Sequence, residues 1–324
     1  MMTLEKNDKI FIAGHNGMVG SAILRSLKKK GYRNLCFLGR KDLNLVNQEQ
    51  TFQWFRNNNF DTVIDCAAKV GGIHANNTYR ADFIYNNLQI QNNIIHASYK
   101  TGVKKLLFLG SVCIYPKFTD QPIKEEYLLR SPLEPTNEPY ALAKIAGIKM
   151  CESYHKQYGC QFMSVMPANL YGPNDNFHLE NSHVLPALLR KFHEAKEKKS
   201  PTVQVWGTGE AMREFMHVDD LAEACLHVLE KCDFNKIYNQ NISQINLGTG
   251  EEISIKNLAH LIAKIVDYKG EIQFDTSKPD GTLRRVLDNK RINDLGWNHK
   301  IKLEEGLKIT YEWFKNNLKN IKQI

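Results

Sequence analysis

A glycine-rich turn close to the N-terminus constrains the fold of this chain more strongly than any other segment. Glycines occupy positions 14, 17 and 20, directly after an apolar run at 10–13 and before a helical pattern. Such a turn needs glycine because the backbone bends tightly, its N–H groups approach a phosphate, and a helix packs closely on a strand. Taken alone, the spacing also occurs in ordinary strand–helix turns. Its place between a strand and a helix favours a pyrophosphate-binding turn.

Short apolar runs alternate with amphipathic stretches along the first half of the chain. The runs predicted to be strands are 9–13, 34–38, 62–66, 105–110 and 162–166. The stretches predicted to be helices are 19–30, 48–57, 81–99 and 140–158. Strands that alternate with helices form a parallel sheet covered on both faces. The pattern therefore predicts an α/β fold with a Rossmann-type, doubly wound parallel sheet.

The character of the sequence changes after Gly172, where longer polar loops begin. The segments predicted there are a basic helix near 182–199, a strand at 203–206, and a strand at 244–247 that returns to the main sheet. We expect a dinucleotide-binding domain at 1–172, joined by the returning strand near 240–250. A smaller α/β substrate-binding domain is expected to occupy most of 173–324.

The charge balance of the chain favours an anionic ligand. Lys and Arg number 43 and Asp and Glu 35, which gives a formal net charge of +8. This charge suits phosphates, nucleic acid or an anionic membrane surface. The sequence has neither the basic–aromatic module of a nucleic-acid-binding domain nor an apolar run that could span a membrane. A small phosphorylated ligand is therefore expected, with no nucleic-acid or membrane partner.

The cysteines indicate a reducing environment. They lie at positions 36, 66, 113, 151, 160, 225 and 232. None belongs to a Cys-x-x-Cys pair or to a His/Cys spacing that suits zinc, so no metal site is expected. The apolar run at 10–13 is too short for the core of a signal peptide. Together these features predict a cytoplasmic protein.

The end of the second predicted strand bears on the identity of the dinucleotide. NAD-binding proteins usually place an acidic residue there to contact the ribose hydroxyls, whereas this chain has Gly39, Arg40 and Lys41. A basic side chain suits the additional phosphate of NADP. These residues favour NADP(H), with a solvated basic loop as the alternative.

A Ser, Tyr and Lys set supplies the candidate catalytic chemistry. Ser111 ends the fourth predicted strand, and Tyr140 and Lys144 stand one helical turn apart, so that their side chains share a face. An ammonium beside a phenol is expected to lower the pKa of Tyr140, which would make it a better proton donor near neutral pH. The spacing recurs at Tyr311 and Lys315 and is weak alone. Preceded by a glycine turn and a strand-end serine, the set predicts an oxidoreductase that transfers a hydride.

Longer runs resemble the extended short-chain dehydrogenase/reductases, and among them the GDP-L-fucose synthase family. The resemblance covers essentially every segment and is clearest in the runs at 11–15, 67–73, 133–140, 169–173, 212–215 and 278–282. Enzymes of that family are cytosolic homodimers that convert GDP-4-keto-6-deoxymannose to GDP-L-fucose, epimerising C3 and C5 and then reducing C4 with NADPH. The resemblance implies the same cofactor and a GDP-linked keto-sugar substrate.

The resemblance also implies roles for individual residues. The implied catalytic residues are Ser111, Cys113, Tyr140, Lys144 and His183, with Cys113 and His183 as the proton-transfer pair for epimerisation. The implied cofactor residues are Gly14, Asn16, Gly17, Met18, Val19, Gly20, Arg40, Leu109, Lys144, Pro167, Asn169, Leu170 and His183. The implied nucleotide and diphosphate residues are Lys191, Trp206, Arg213 and Asp280. A homodimer would form through the helices at 81–99 and 140–158.

Four positions depart from the residues that the family frequently has. Asn16 replaces an arginine in the glycine turn, which leaves more of the recognition of the 2′-phosphate to Arg40. Val112, Ala168 and Arg80 replace a serine, a threonine and a proline. Because Val112 and Ala168 border the implied sugar pocket, the loss of two hydroxyls could retune epimerisation or admit a larger substituent at C6.

Three alternatives remain open. One is a C4 reductase of a GDP-4-keto-6-deoxyheptose, with or without epimerisation. A 4,6-dehydratase would normally carry an Asp–Glu pair where Val112 and Cys113 stand. A non-catalytic dinucleotide-sensing protein fits the net charge, but the intact set of Ser111, Tyr140 and Lys144 argues against it.

Overall fold

The computed structural model describes residues 3–179, 181–278 and 280–321. Its strands are β1 (Ile10–Ala13), β2 (Leu35–Cys36), β3 (Thr62–Asp65), β4 (Lys105–Leu109), β5 (Gln161–Pro167), β6 (Asn169–Tyr171), β7 (Thr202–Trp206), β8 (Met212–His217), β9 (Gln244–Leu247), β10 (Glu252–Ser254), β11 (Glu271–Asp275) and β12 (Arg284–Arg285). Its helices are α1 (Met18–Lys29), α2 (Gln48–Asn58), α3 (Ile73–Thr78), α4 (Arg80–Lys100), α5 (Glu138–Tyr158), α6 (Val184–Glu197), α7 (Val218–Lys231), α8 (Phe234–Tyr238), α9 (Ile255–Val266), α10 (Lys290–Asp294) and α11 (Leu303–Asn316). None of these helices is long and apolar enough to cross a membrane.

Six parallel strands form the central sheet in the order β2-β1-β3-β4-β5-β9. Helices α2, α4 and α5 pack side by side on one face, and α1 and α7 pack on the other. Strands such as β1 and β4 are buried along their whole length because helices cover both faces, which explains why every residue of β1 and all but Lys105 of β4 are apolar. The predicted Rossmann-type sheet is confirmed. The strand predicted at 244–247 is β9, which pairs with β5.

Strand β2 is shorter than the sequence predicts. It lies at the edge of the sheet, where β1 is its one neighbour, and pairs with it at Leu35 and Cys36 alone. The apolar residues that follow, Phe37 and Leu38, lie outside the ladder. An edge position explains the difference, because a single partner supports fewer ladder hydrogen bonds than two.

A second hydrophobic core lies outside the central sheet. Residues of α6, α9 and α11 meet there with residues of β7 and β8. Tyr311 belongs to this core, and its hydroxyl lies 3.1 Å from Nδ1 of His193. The second Tyr-x-x-x-Lys spacing, at Tyr311 and Lys315, therefore places its tyrosine in helix packing, away from the serine strand.

Asn246 on β9 joins loops at the edge of the central sheet. Its side chain is fully buried and accepts a hydrogen bond from the Tyr115 hydroxyl at 2.6 Å. It donates to the carbonyl oxygens of Ile123 at 2.9 Å and Asp288 at 3.2 Å. Tyr115 follows the turn after β4, whereas Asp288 precedes α10, so one side chain holds together segments far apart in sequence.

We expect Asn246→Ala to lower the free energy of unfolding by about 2 to 4 kcal/mol, because it removes three hydrogen bonds at a fully buried side chain, among them the one that the Tyr115 hydroxyl donates. Urea unfolding measures the change. The matched control is Asn239→Ala, at an exposed position after α8, which should alter stability by less than about 0.5 kcal/mol. Equal losses in the two variants would contradict this account of β9.

Candidate active site

The glycine turn brings the N-terminus of α1 to the carboxyl edge of the central sheet. Gly14 has a φ of +77°, and a Cβ there would lie 2.8 Å from the carbonyl oxygen of Cys66. A Cβ on Gly20 would lie 2.3 Å from the carbonyl oxygen of Gly14, so only glycine lets α1 approach so closely. Gly17 precedes α1, whose first turn carries no acidic residue. The N–H groups of that turn and the helix dipole suit an anion.

The other predicted cofactor residues follow the same edge. Met18 and Val19 begin α1, Leu109 and Pro167 end β4 and β5, and Asn169 and Leu170 lie in β6. Asn16 is exposed, and a Cβ on Gly39 would lie 3.6 Å from its Nδ2 atom. Arg40 is exposed and makes no hydrogen bond or ion pair with other residues of the described ranges. Asn16 and Arg40 therefore flank one loop, where both can face the same ligand.

Ser111, Cys113 and Tyr140 meet beyond the end of β4. The Ser111 hydroxyl accepts a hydrogen bond from the N–H of Cys113 at 3.5 Å, at the start of a short 3-10 helix over Val112–Ile114. Tyr140 lies in the first turn of α5 and interacts with both side chains. Burial and then the charge of Cys113 raise the pKa of Tyr140 above its ordinary value, while Ser111 lowers it. Tyr140 therefore keeps its proton at neutral pH and can donate it.

Lys144 lies one turn further along α5 and is buried. Its Nζ donates a hydrogen bond to the carbonyl oxygen of Leu109 at 2.7 Å and lies 4.6 Å from the centre of the Phe108 ring. Burial lowers the pKa of Lys144, and the nearby carboxylate of Asp65 raises it. The expectation that Lys144 lowers the pKa of Tyr140 is wrong for this structure. Burial dominates there, and the ammonium lies 6.0 Å from the centre of the tyrosine ring.

Asp65, the last residue of β3, is a polar residue of the site that sequence reasoning missed. It is fully buried, and its Oδ1 accepts a hydrogen bond from the N–H of Ala67 at 3.0 Å. Its Oδ2 has no hydrogen-bond partner among the described residues. Burial raises the pKa of Asp65 to about 6, although the charge of Lys144 lowers it. The sequence did contain a signal for this residue, because Asp65 ends an apolar strand. Carboxylates are rarely buried, and those that are buried often lie at functional sites.

His183 stands at the N-terminal cap of α6, opposite the loop that follows β3. The carbonyl oxygen of Asn181, two residues earlier, accepts a hydrogen bond from the N–H of Gly72 at 2.8 Å. His183 is exposed to solvent, yet enough protein surrounds it to lower its pKa. In the described ranges it makes no hydrogen bond with Ser111, Cys113 or Tyr140. The structure therefore places His183 next to the segment that contacts the loop after β3, without joining it directly to the other catalytic candidates.

The four predicted nucleotide residues lie in the part of the chain that builds the second core, three of them on α6, β7 and β8. Nζ of Lys191 lies 5.2 Å from the centre of the Trp206 ring, and that ring is 54% exposed. Arg213 is half-buried, and burial lowers its pKa to about 10. Asp280 accepts hydrogen bonds from the N–H and the hydroxyl of Thr208 at 2.7 and 2.8 Å. Both its oxygens thus order the loop after Trp206.

Glu214, next to Arg213 on β8, was also missed. Its Oε1 accepts hydrogen bonds from the N–H groups of Thr249 at 2.5 Å and Gly250 at 2.7 Å, and its Oε2 accepts one from the N–H of Leu287 at 2.8 Å. These bonds tie the loop after β9 to the segment after β12. Its partners lie far along the chain, so spacing gave no signal. Across the described residues, no cluster of three or more His, Cys, Asp or Glu could hold a metal ion.

Comparisons with known proteins agree with this geometry. The model of the NAD dependent epimerase/dehydratase family matches residues 10–243. The chain is 56% identical to the GDP-L-fucose synthase of Escherichia coli (strain K12), over 95% of this chain and 97% of that protein. It is 41% identical to a solved GDP-6-OMe-4-keto-L-xylo-heptose reductase from C. jejuni, with a TM-score of 0.93 over 98% of this chain and 100% of that one. A GDP-mannoheptose C4 reductase from Campylobacter jejuni, solved with NADP bound, is 43% identical, with a TM-score of 0.88 over 96% of this chain and 99% of that one.

Asp65→Asn should change how stability depends on pH. The pKa of about 6 in the folded state exceeds the ordinary value of 3.8, so the fold loses stability as the pH rises from about 4 to about 6. Between pH 5 and pH 8, we expect the unfolding free energy of the native chain to fall by about 1 to 2 kcal/mol relative to that of the variant. Urea unfolding at both pH values measures this relative fall. Asp294→Asn, exposed on α10, should show no such difference, and a pH-independent effect of Asp65→Asn would refute the prediction.

Proposed function

The chain belongs to the NAD dependent epimerase/dehydratase family, and we propose that it converts GDP-4-keto-6-deoxymannose to GDP-L-fucose with NADPH. The observation that carries the proposal is the gathering of Ser111, Cys113, Tyr140 and Lys144 at one sheet edge, in a chain similar to a GDP-L-fucose synthase along nearly its whole length. The reaction has two stages. Epimerisation at C3 and C5 precedes reduction at C4.

The sheet edge fits NADP(H) as the cofactor. The close approach of Gly14 and Gly20 leaves the first turn of α1 free for a pyrophosphate. Arg40 is exposed and unpaired within the described ranges, beside Asn16, and can meet a 2′-phosphate. Lys144 is assigned to the nicotinamide ribose. When bound, NADPH supplies the hydride that reduces the C4 carbonyl.

Tyr140 donates the proton that completes the reduction at C4. Its raised pKa keeps the phenol protonated until negative charge develops on the substrate oxygen. The Ser111 hydroxyl, next to Tyr140, donates a second hydrogen bond to that oxygen. During epimerisation the same two donors stabilise the enolate oxygen, because it is the C4 oxygen at an earlier stage.

Cys113 and His183 carry the proton transfers at carbon. The C4 ketone acidifies the protons on C3 and C5, and inversion needs a base on one face of the ring and an acid on the other. Cys113 stands beside Ser111 and Tyr140, whereas His183 is the N-terminal cap of α6. Their origin in different parts of the fold supports action from opposite faces.

The GDP moiety binds on the side of the second core. Trp206 offers an exposed ring that can stack on the guanine, with Lys191 next to it. Arg213 meets the diphosphate, while Asp280 orders the loop after Trp206. We assign residues 1–172, with the strand near 240–250, to NADP(H) binding and most of 173–324 to binding of the GDP-sugar. Residues 1, 2, 180, 279 and 322–324 of this assignment lie outside the described residues.

A second candidate is C4 reduction of a GDP-4-keto-6-deoxyheptose, with or without epimerisation. Val112 and Ala168, which replace hydroxyl residues frequent in the family, are apolar and buried beside the site. Such a lining would accept a larger substituent at C6. The similarity to solved heptose reductases supports this candidate.

The protein is proposed to act as a cytoplasmic homodimer. Helices α4 and α5 carry large exposed apolar side chains, among them Tyr85, Leu142 and Tyr158. The rings of Tyr99 and Tyr158 stack with centroids 4.3 Å apart on the same surface. Such a surface suits an interface with a second copy. All seven cysteines are free, which supports a reducing compartment.

Incubation with NADPH and GDP-4-keto-6-deoxymannose in D2O tests the function. We expect oxidation of NADPH and, by NMR, deuterium at C3 and C5 of a GDP-L-fucose product. No oxidation with either the deoxymannose or a deoxyheptose substrate would refute the enzymatic proposal. Oxidation without deuterium at either carbon would identify a simple C4 reductase.

Tyr140→Phe should lower kcat for reduction by about 10²- to 10⁴-fold, since it removes the proton donor. The matched control is Tyr311→Phe, in the chain's second Tyr-x-x-x-Lys motif, which removes one hydrogen bond in the second core. That variant should keep kcat within about twofold of the native value. Stopped-flow measurement of NADPH oxidation compares the two, and equal losses would remove Tyr140 from its proposed role.

A further inference from the structure

Arg285 is a buried cation at the turn that carries Cys113. Its Nη1 donates a hydrogen bond to the carbonyl oxygen of Val112 at 3.1 Å, and its Nη2 approaches that of Pro116 at 3.4 Å. The residue is 9% exposed, and it stands 172 positions after Cys113 in the chain. The two carbonyl groups bracket Cys113, so the guanidinium holds both ends of the turn.

The pairing of β12 explains why this arginine, and not its neighbour, points inward. Arg284 and Arg285 pair in parallel with Met212 and Arg213 of β8. Successive residues of a strand face opposite sides. Arg284 therefore faces outward, where it forms an ion pair with Glu252 at 2.8 Å. Arg285 faces the turn.

The charges around Cys113 favour a role beyond packing. Burial raises the pKa of the Cys113 thiol, whereas the Ser111 hydroxyl and then the charges of Arg285 and Lys144 lower it. Tyr140 also interacts with Cys113. A buried thiol needs such compensation to act as a base, because the thiolate is the basic form and burial disfavours it.

The groups that face Arg285 are Cys113, Glu134 and Arg213. Burial lowers the pKa of Arg285, while Cys113 and then Glu134 raise it. Its like charge contributes to the lowered pKa of Arg213. Cys113 thus raises the pKa of Arg285 more than Glu134 does, which shows that the thiol and the guanidinium are close enough to interact.

We propose that Arg285 is a positioning residue for Cys113, which fixes the turn through its two carbonyl contacts and stabilises the thiolate with its charge. This inference rests on the proposed function, in which the Cys113 thiolate takes a proton from C3 or C5. In that step the C–H bond breaks, the proton forms an S–H bond, and the electron pair enters the enolate. Arg285 touches neither the substrate nor the cofactor in this assignment.

Arg285→Gln and Arg285→Lys separate charge from geometry. The glutamine amide can still donate a hydrogen bond to a carbonyl but carries no charge, whereas lysine keeps the charge. The matched control is Arg284→Gln, which removes the exposed ion pair with Glu252 on the same strand. The readout is the rate of alkylation of Cys113 by iodoacetamide, followed on its peptide by mass spectrometry between about pH 7 and pH 10. Circular dichroism and binding of NADP confirm that each variant is folded.

We expect Arg285→Gln to slow alkylation of Cys113 by roughly tenfold at a given pH and to move the pH profile upward by about one unit. Arg285→Lys should recover most of the native rate, and Arg284→Gln should equal it. If folded Arg285→Gln is alkylated as fast as the native protein, the proposal is overturned. It is also overturned if Arg285→Lys loses as much of the alkylation rate as Arg285→Gln does. Because no sugar is present, this result is independent of whether the native protein oxidises NADPH.

With GDP-4-keto-6-deoxymannose in D2O, Arg285→Gln should lower incorporation of deuterium roughly tenfold relative to Arg284→Gln. The pH dependence of the loss in deuterium incorporation should match the pH dependence of the loss in alkylation rate. Incorporation that is unchanged while alkylation is slowed would exclude Cys113 as the base and would overturn the role of Arg285 in the reaction.

Discussion

The ammonium of Lys144 is buried between the central sheet and α5, and a charge in that place must be compensated by the groups around it. One hydrogen bond to the carbonyl oxygen of Leu109, the nearby carboxylate of Asp65 and the face of the Phe108 ring provide this compensation. Leu109 ends β4 and Asp65 ends β3. Two of the groups that stabilise the charge therefore lie at the carboxyl edge of the central sheet.

Several ionisable groups of the site lie near this ammonium. The thiols of Cys66 and Cys113 and the carboxyl of Asp65 each have a pKa that the charge of Lys144 lowers against the effect of burial. Tyr140 lacks this help, so its pKa stays high. A low-dielectric site that contains the Lys144 ammonium therefore holds a protonated phenol as an acid next to a thiol that can be made basic. Glu214 on β8 ties the loop after β9 of the central sheet to the segment after β12.

Sequence alone predicted the elements that local pattern determines. Alternation of strands and helices gave the parallel sheet, and the order of glycine turn, strand-end Ser111 and Tyr140 distinguished this tyrosine from Tyr311. Spacing could not predict whether the pKa of Tyr140 is raised or lowered, because its burial depends on the packing of distant segments. The roles of Arg285 and Glu214 escaped for a related reason: their partners lie tens to more than a hundred residues away in the chain. The short β2 reflects an edge position that composition does not reveal.

The central claim is that Lys144 stays charged because Asp65 and the sheet edge compensate its burial. NMR titration of lysine labelled with ¹³C at Cε tests it most directly, with the Lys144 signal assigned by its absence in Lys144→Arg. The account predicts an ammonium at about pH 7.5, a midpoint below that of an exposed lysine, and a further downward shift in Asp65→Asn. A neutral amine at about pH 7.5 in the native protein, or a midpoint that Asp65→Asn leaves unchanged, would contradict it.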